Sequence, residues 1–345
     1  MAFLDRAANR GSISTASYDV DNSLRIESNE SEYMHRTPSS SGTRTKWTYS
    51  SWVKRADVLG AAQNLQGSGN DYNAIRFETS NALRVTNFNN GSASYNLITR
   101  RLFRDCTAWY HIVAVMDTTQ GTASNRLKLY INGVQETQFS TETYPSQNYS
   151  DNYSESSRMH QTGCRYNNSG NATQYFSGYL AEVNFISGTA ESPTDFGEFD
   201  STSGIWKPKE YSGSYGTNGF YLNFDSSGSL GADSSGSSNT FTLVGLSATN
   251  QTTDSPTNNF CVVNTNANNN YDSPSGTLEM GGCRIQTPAS GWTTWLCTMP
   301  FSAGKWYIEM EDVGTYCAFG IMNVDRTHLL YEVSGAEAVA YRTWN

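Results

Sequence analysis

The 345-residue chain has the length for one large β domain or two smaller ones, with sparse Lys and Leu and abundant Ser, Thr, Asn, Gly and Tyr. That mix disfavours long helices and suits short strands joined by polar turns. A formal net charge of −9 argues against a nucleic-acid partner, since phosphate binding needs a clustered excess of Lys and Arg.

Residues 1–18 read as a polar entry segment. Ser23-Leu-Arg-Ile-Glu27 and Glu32-Tyr-Met-His-Arg36 alternate like a first strand pair. Lys46-Trp-Thr-Tyr-Ser-Ser-Trp-Val-Lys54 puts Trp47, Tyr49 and Ser51 on one face and Trp52 on the other. The turn formers Gly67–Asp71 precede Ala74–Phe77 and Ala82–Thr86, which read as a hairpin. Trp109–Asp117, Leu127–Val134 and Phe176–Phe185 alternate bulky apolar residues with smaller or polar ones, as strands do when the second face meets another layer. Asn132-Gly133 is a strong hairpin signal because both residues tolerate the positive φ of a type I′ turn. Thr143–Glu155 is too polar for a core strand and reads as a long exposed loop. Ser192-Pro193 with Asp195 has the cap chemistry of one short helical turn, and Gly219–Phe224 is another strand.

Residues 225–270 break the composition: Asp225–Asn239 is Ser/Gly-rich and Asn264–Asn270 Asn-rich, so the stretch reads as a flexible linker. Strand patterning restarts in 271–345 around Trp292, Trp306–Met310 and Cys317–Met322. About seventy-five residues are thin for an independent sandwich. The expectation is that the protein continues beyond Asn345 or that this piece packs on a partner.

The first residues lack a signal-peptide core and no segment approaches a membrane span, so assembly in a cytoplasm without membrane insertion is expected. The six cysteines (Cys106, Cys164, Cys261, Cys283, Cys297, Cys317) are scattered without Cys-x-x-Cys spacing and read as buried free thiols. His35, His111, His160 and His328 are isolated, and His111, within a core strand, reads as a hydrogen-bonded structural histidine.

Trp109–Asp117, Leu127–Gly133 and Phe176-x-Gly178-x-Leu180-x-Glu182-Val183 resemble the laminin-G-like branch of the concanavalin-A-like lectin/glucanase superfamily. The resemblance spans about 19–224 and implies a jelly roll of two curved antiparallel sheets with first and last strands paired. Glu182–Ile186, Gly204–Lys209, Tyr215–Leu222 and Asp254-Ser-Pro-Thr-Asn258 are similar to phrases recurring in virion proteins of marine tailed bacteriophages. Pro300–Glu309, Phe319–Ile321 and Val339–Tyr341 resemble the first half of a SPRY domain, a second β-sandwich. The implied fold class is all-β.

Glycan binding needs aromatic plates with amides around the sugar hydroxyls. Tyr144, Tyr149, Tyr153, Tyr166, Asn167, Asn168 and Tyr175 offer that mixture on expected loops; the plainer reading is packing at a sandwich edge. Members of the superfamily often hold a structural Ca²⁺, for which Asp117, Asp225 and Asp233 are the weak candidates; the position before Glu182, commonly acidic there, is Ala181. No cofactor is expected. Glu309 and Glu311 share a strand face but lack the further Glu of the glucanase pattern, so no enzyme is expected. The resemblance implies a tail-fibre or capsid-decorating subunit exposed on a virion. Its partners would be other virion proteins and a host surface glycan or protein. It would be a homo-oligomer, and a trimer in the case of a fibre. The competing readings are a cement protein without host ligand and a polysaccharide depolymerase.

Overall fold

Two antiparallel sheets face each other across one apolar core. The computed structural model describes residues 18–56, 60–70, 73–89, 92–263, 277–286, 295–299, 309–310, 318–322 and 338–342. The first sheet contains β1 (Ser23–Ile26), β3 (Lys46–Arg55), β8 (Tyr110–Asp117), β9 (Leu127–Ile131), β10 (Val134–Gln135), β15 (Gly178–Ser187), β18 (Phe220–Leu222) and β20 (Gln251–Thr252). The second contains β2 (Tyr33–Arg36), β4 (Gln63–Ser68), β5 (Asn73–Phe77), β6 (Ala82–Asn89), β7 (Ser92–Leu102), β11 (Phe139–Thr143), β12 (His160–Thr162) and β19 (Thr242–Val244). Within residues 18–263, two hairpins lie outside these sheets, β13 (Arg165–Tyr166) with β14 (Ala172–Thr173) and β16 (Gly197–Phe199) with β17 (Trp206–Pro208).

The architecture is the expected all-β jelly roll. The first strand pairs with the last long one, Leu24 opposite Leu180. Alternation along β3 turns Trp47, Tyr49 and Val53 into the core and Trp52 to the opposite face. Ala74–Phe77 and Ala82–Thr86 pair as the expected hairpin. At the β9–β10 turn Asn132 and Gly133 both take positive φ, 49° and 77°, as type I′ geometry requires. Ser192 caps the turn Pro193–Asp195 with a full capping box.

The first sheet is covered on its outer face as well, which explains why β3, β8 and β15 are buried almost throughout. Val20, Trp206 and Val262 lie over Trp52, Trp109, Tyr179 and Ala181. Further along, Phe196 and Tyr215 cover Ile186. Lys54 sits under this layer, completely buried, with its Nζ 2.8 Å from Asp254 Oδ2 and 2.7 Å from Asn259 Oδ1.

Two expectations are corrected here. Thr143–Glu155 is not an exposed loop throughout: Asp151, Asn152, Tyr153 and Ser154 are buried. Asp151 accepts from the indole of Trp47 and the amide of Asn73, so a polar segment is tolerated inside because its partners wait there. The stretch 225–270, read as a linker, is woven into the sandwich over its described residues 225–263. Thr242–Val244 adds an edge strand beside β2, and Gln251–Thr252 adds one beside β1. Its Ser/Gly run folds because Asp233 accepts the backbone N–H groups of Tyr221, Ser235 and Asn239.

Residues 1–17 and most of 264–345 lie outside the described residues, and with them most of the SPRY-like reading. Described there are the hairpins of Thr277–Glu279 with Arg284–Gln286 and of Ala318–Met322 with Ala338–Arg342.

Candidate functional site

Alternation in β2 sends Met34 into the core and leaves Tyr33 and His35 on the outer face of the second sheet. The β13–β14 hairpin folds back beside them, bridging through Tyr166 to Asn70. Tyr166 approaches Tyr33 edge-on at 5.9 Å between ring centroids, and Tyr175 lies 6.1 Å from Tyr33 on a tilted plane. His35 is 6.0 Å from the same ring.

Each phenol is held. The hydroxyls of Tyr33 and Tyr166 share a hydrogen bond at 2.9 Å, and Tyr175 donates to the Ala172 carbonyl at 3.2 Å. Burial and the Tyr166 contact push the Tyr33 phenol well above its ordinary value, so it remains a neutral donor. The hairpin tip is shaped by Asn167, whose Oδ1 accepts from the N–H groups of Ser169 and Asn171. Asn168 and Asn70 are exposed at its rim. The result is a rigid patch in which half-buried Tyr166 and Tyr175 cover the buried Tyr33 ring, edged by free amides.

Of the seven expected binding residues, the fold brings Tyr166, Asn167, Asn168 and Tyr175 together. The other three sit apart. Tyr153 is a core residue: it packs edge-on against Trp47 at 5.0 Å and donates to the Gln66 carbonyl. Tyr149 packs against Tyr95 and donates to Asn87 Oδ1 at 3.1 Å, while Tyr144 donates to Glu142 and rests against the core edge. Tyr33 and His35 were missed. The inward Met34 between them was the available signal.

The calcium candidates stand apart and are used locally. Asp117 accepts from Thr119 and Gln120 and meets Lys46 at 3.2 Å, interactions that hold its carboxyl at about 2 despite burial. Asp225 meets Asn223, and Asp233 is saturated by the three N–H groups above. Among the described residues no group of three acidic, His or Cys side chains is placed to hold a metal. Glu309 is exposed, and Glu311 lies outside the described residues.

One constellation has a catalytic outline. Ser50 Oγ lies 2.9 Å from His111 Nε2, but the other ring nitrogen accepts the Trp206 indole N–H at 3.0 Å instead of facing a carboxylate. All three side chains are buried, and burial pushes the His111 imidazole down to about 3. His111 is therefore the hydrogen-bonded structural histidine the sequence suggested. The cysteines divide: Cys106 and Cys164 are buried free thiols, whereas Cys261, Cys283 and Cys297 are free but exposed.

Residues 28–194, just under half of the chain, match the family model described as Concanavalin A-like lectin/glucanases superfamily. This segment is similar to that family, and its two facing antiparallel sheets are consistent with the family's sandwich. Similar solved structures include a candidate carbohydrate binding protein from Bacteroides ovatus ATCC 8483, 12% identical, covering 66% of this chain and 61% of that one with a TM-score of 0.43. A heptameric SAP-like pentraxin from Limulus polyphemus is 12% identical, covering 49% of this chain and 78% of that one with a TM-score of 0.37. Tailspike protein 2 of the Escherichia coli O157:H7 bacteriophage CAB120 is 11% identical, covering 50% of this chain and 25% of that one with a TM-score of 0.32. The chain thus spans less than two thirds of the first of these proteins. No curated protein matches the sequence.

Proposed function

We propose that the sandwich is a non-catalytic carbohydrate-binding module and that its contact surface is the Tyr33–Tyr166–Tyr175 patch. The observation that carries this reading is the immobilised aromatic cluster beside the free amides of Asn70 and Asn168. Pyranose C–H faces stack on rigid aromatic rings, and side-chain amides pair with the hydroxyls around them. Rings already fixed by hydrogen bonds lose little freedom on binding. The family match is compatible with this use, although the fold serves many functions and the site must carry the argument.

A single patch of this size binds weakly. Copies displayed together would bind tightly through effective concentration, which suits a homo-oligomeric adhesin contacting a host surface. We further place the protein on the outside of a tailed phage particle, as a fibre or decoration subunit; support for that placement is the wording of the sequence alone.

The test is a glycan array with the purified protein, repeated with Tyr166→Ala and Tyr175→Ala. Loss of about one to two kcal/mol of binding in each variant is expected, with some loss of thermal stability in Tyr166→Ala, which strands the Tyr33 hydroxyl. Glycan binding that survives both substitutions would move the site elsewhere. Absence of binding to any glycan would favour a cement role.

A further inference from the structure

Three of the five described cysteines gather at one place, where the segment 261–263 passes between two others. Val262 N–H donates to Thr298 Oγ1 at 2.9 Å and Thr298 N–H donates to the Val262 carbonyl at 2.8 Å. Val263 stands opposite Cys297 in an antiparallel bridge, and its N–H reaches the Gly282 carbonyl at 2.8 Å. This pairing puts Cys261 and Cys297 diagonally on one face, since side chains two apart along a strand share a side. The Cys261 and Cys297 side chains interact across this pairing, and the Thr298 hydroxyl approaches the Cys261 sulfur at 3.9 Å. Cys283 lies near Cys297 but is engaged differently, with its sulfur 3.4 Å from the Tyr179 hydroxyl.

We propose that Cys261 and Cys297 are a redox pair that closes into a reversible disulfide, stapling the segment 295–299 to the end of the sandwich. Interaction with Cys297 and the Thr298 hydroxyl at 3.9 Å hold the Cys261 thiol below its ordinary value, while the same pairing pushes Cys297 up. Cys261 is thus the nucleophile and Cys297 the resolving thiol. With a peroxide as oxidant, the Cys261 thiolate attacks one oxygen, the O–O bond breaks, and sulfenic acid and one water form. The Cys297 sulfur then attacks the sulfenic sulfur, its proton leaving with the hydroxyl as a second water. Two thiols and one hydrogen peroxide become one disulfide and two waters. The two buried cysteines are internal controls, because burial drives the Cys164 thiol up and removes its reactivity.

The experiment treats the full chain with hydrogen peroxide, alkylates remaining thiols, and maps peptides by mass spectrometry. The expected result is loss of two alkylation sites, a Cys261–Cys297 cross-linked peptide, and recovery of both thiols with a reductant. Cys261→Ser and Cys297→Ser should each abolish the cross-link, and Cys283→Ser should leave it intact. Cross-linking that instead involves Cys283, irreversible oxidation of Cys261 without a cross-link, or unchanged alkylation would each overturn the proposal. The wild-type peptide map decides the matter even where a variant folds poorly.

Discussion

Trp47 gives its indole N–H to Asp151 Oδ2 across 2.8 Å, in the middle of the apolar core. The carboxylate also accepts from Asn73 at 2.7 Å and from the Tyr95 hydroxyl at 3.2 Å, so one acid ties β3, β5 and β7 to the inserted segment that carries it. Asp151→Ala strands the Trp47 and Asn73 donors and opens a cavity. It should cost about 3 kcal/mol or more, read as a lower urea midpoint. Asp151→Asn keeps an oxygen for Trp47 and should cost less than half as much. Equal effects of the two substitutions would mean that shape, and not hydrogen bonding, sets the requirement.

Burial also fixes how stability follows pH. His111 and His160 are held at about 3, below their ordinary 6.5, so the unfolded chain binds more protons. Their contribution is present above about pH 6.5 and is lost as pH falls towards 3. Asp151 is raised by burial to about 6 and Glu182 to about 7, so the folded chain holds more protons. Their contribution is full at low pH and is lost as pH rises through those values. Between about pH 4.5 and 6 the two pairs oppose each other, and stability should be nearly level, falling below about pH 4. The double variant Asp151→Asn, Glu182→Gln removes one side. Its stability should decline from about pH 6.5 downward with a slope of up to about 2.7 kcal/mol per pH unit, measured by urea unfolding.

Much of the sandwich was legible because its strands obey simple alternation. Trp47 and Trp52 are five residues apart, an odd spacing that sends them to opposite faces, and the structure keeps them there. The buried segment around Asp151 was not legible, since a polar run looks the same whether water or waiting side chains satisfy it. Nor was the role of 225–263, where Ser/Gly composition hides two edge strands. The phrases read as virion-like have structural duties in this fold: Trp206, Tyr215 and Asp254 all belong to the outer layer over the first sheet. The binding patch was half legible. Its hairpin announced itself by Tyr and Asn content, whereas Tyr33 enters only through strand register.

Lys54 and Asp254 form an ion pair 2.8 Å long with essentially no exposed side chain on either side. Breaking such a pair leaves one charge buried without compensation, at a cost of about 3–5 kcal/mol. Asp254 additionally accepts from the Trp109 indole at 3.1 Å and the Phe260 N–H at 3.2 Å. Lys54→Met should therefore destabilise by about that amount and loosen 254–263 first. Limited proteolysis should cut the variant in this segment well before the sheets; a cleavage pattern unchanged from wild type would show that the pair does not hold the segment down.

Gly133 is required twice over. Its φ of 77° suits glycine, and a Cβ there would run into the Trp206 indole. Trp206 in turn stacks 5.9 Å from His111 and gives it the hydrogen bond that fixes its tautomer. Gly133→Ala should push the indole off the imidazole and destabilise by roughly 1–3 kcal/mol. Trp206→Phe tests the polar half alone: an apolar ring remains over His111, but Nδ1 loses its donor. Such a histidine, still buried but half unpaired, gains water more readily. Its imidazole should titrate well above about 3, visible in the pH dependence of its ring-proton chemical shifts. A His111 that stays neutral to the same pH in Trp206→Phe would mean that burial by Trp52 suffices, and that the indole N–H only sets ring orientation.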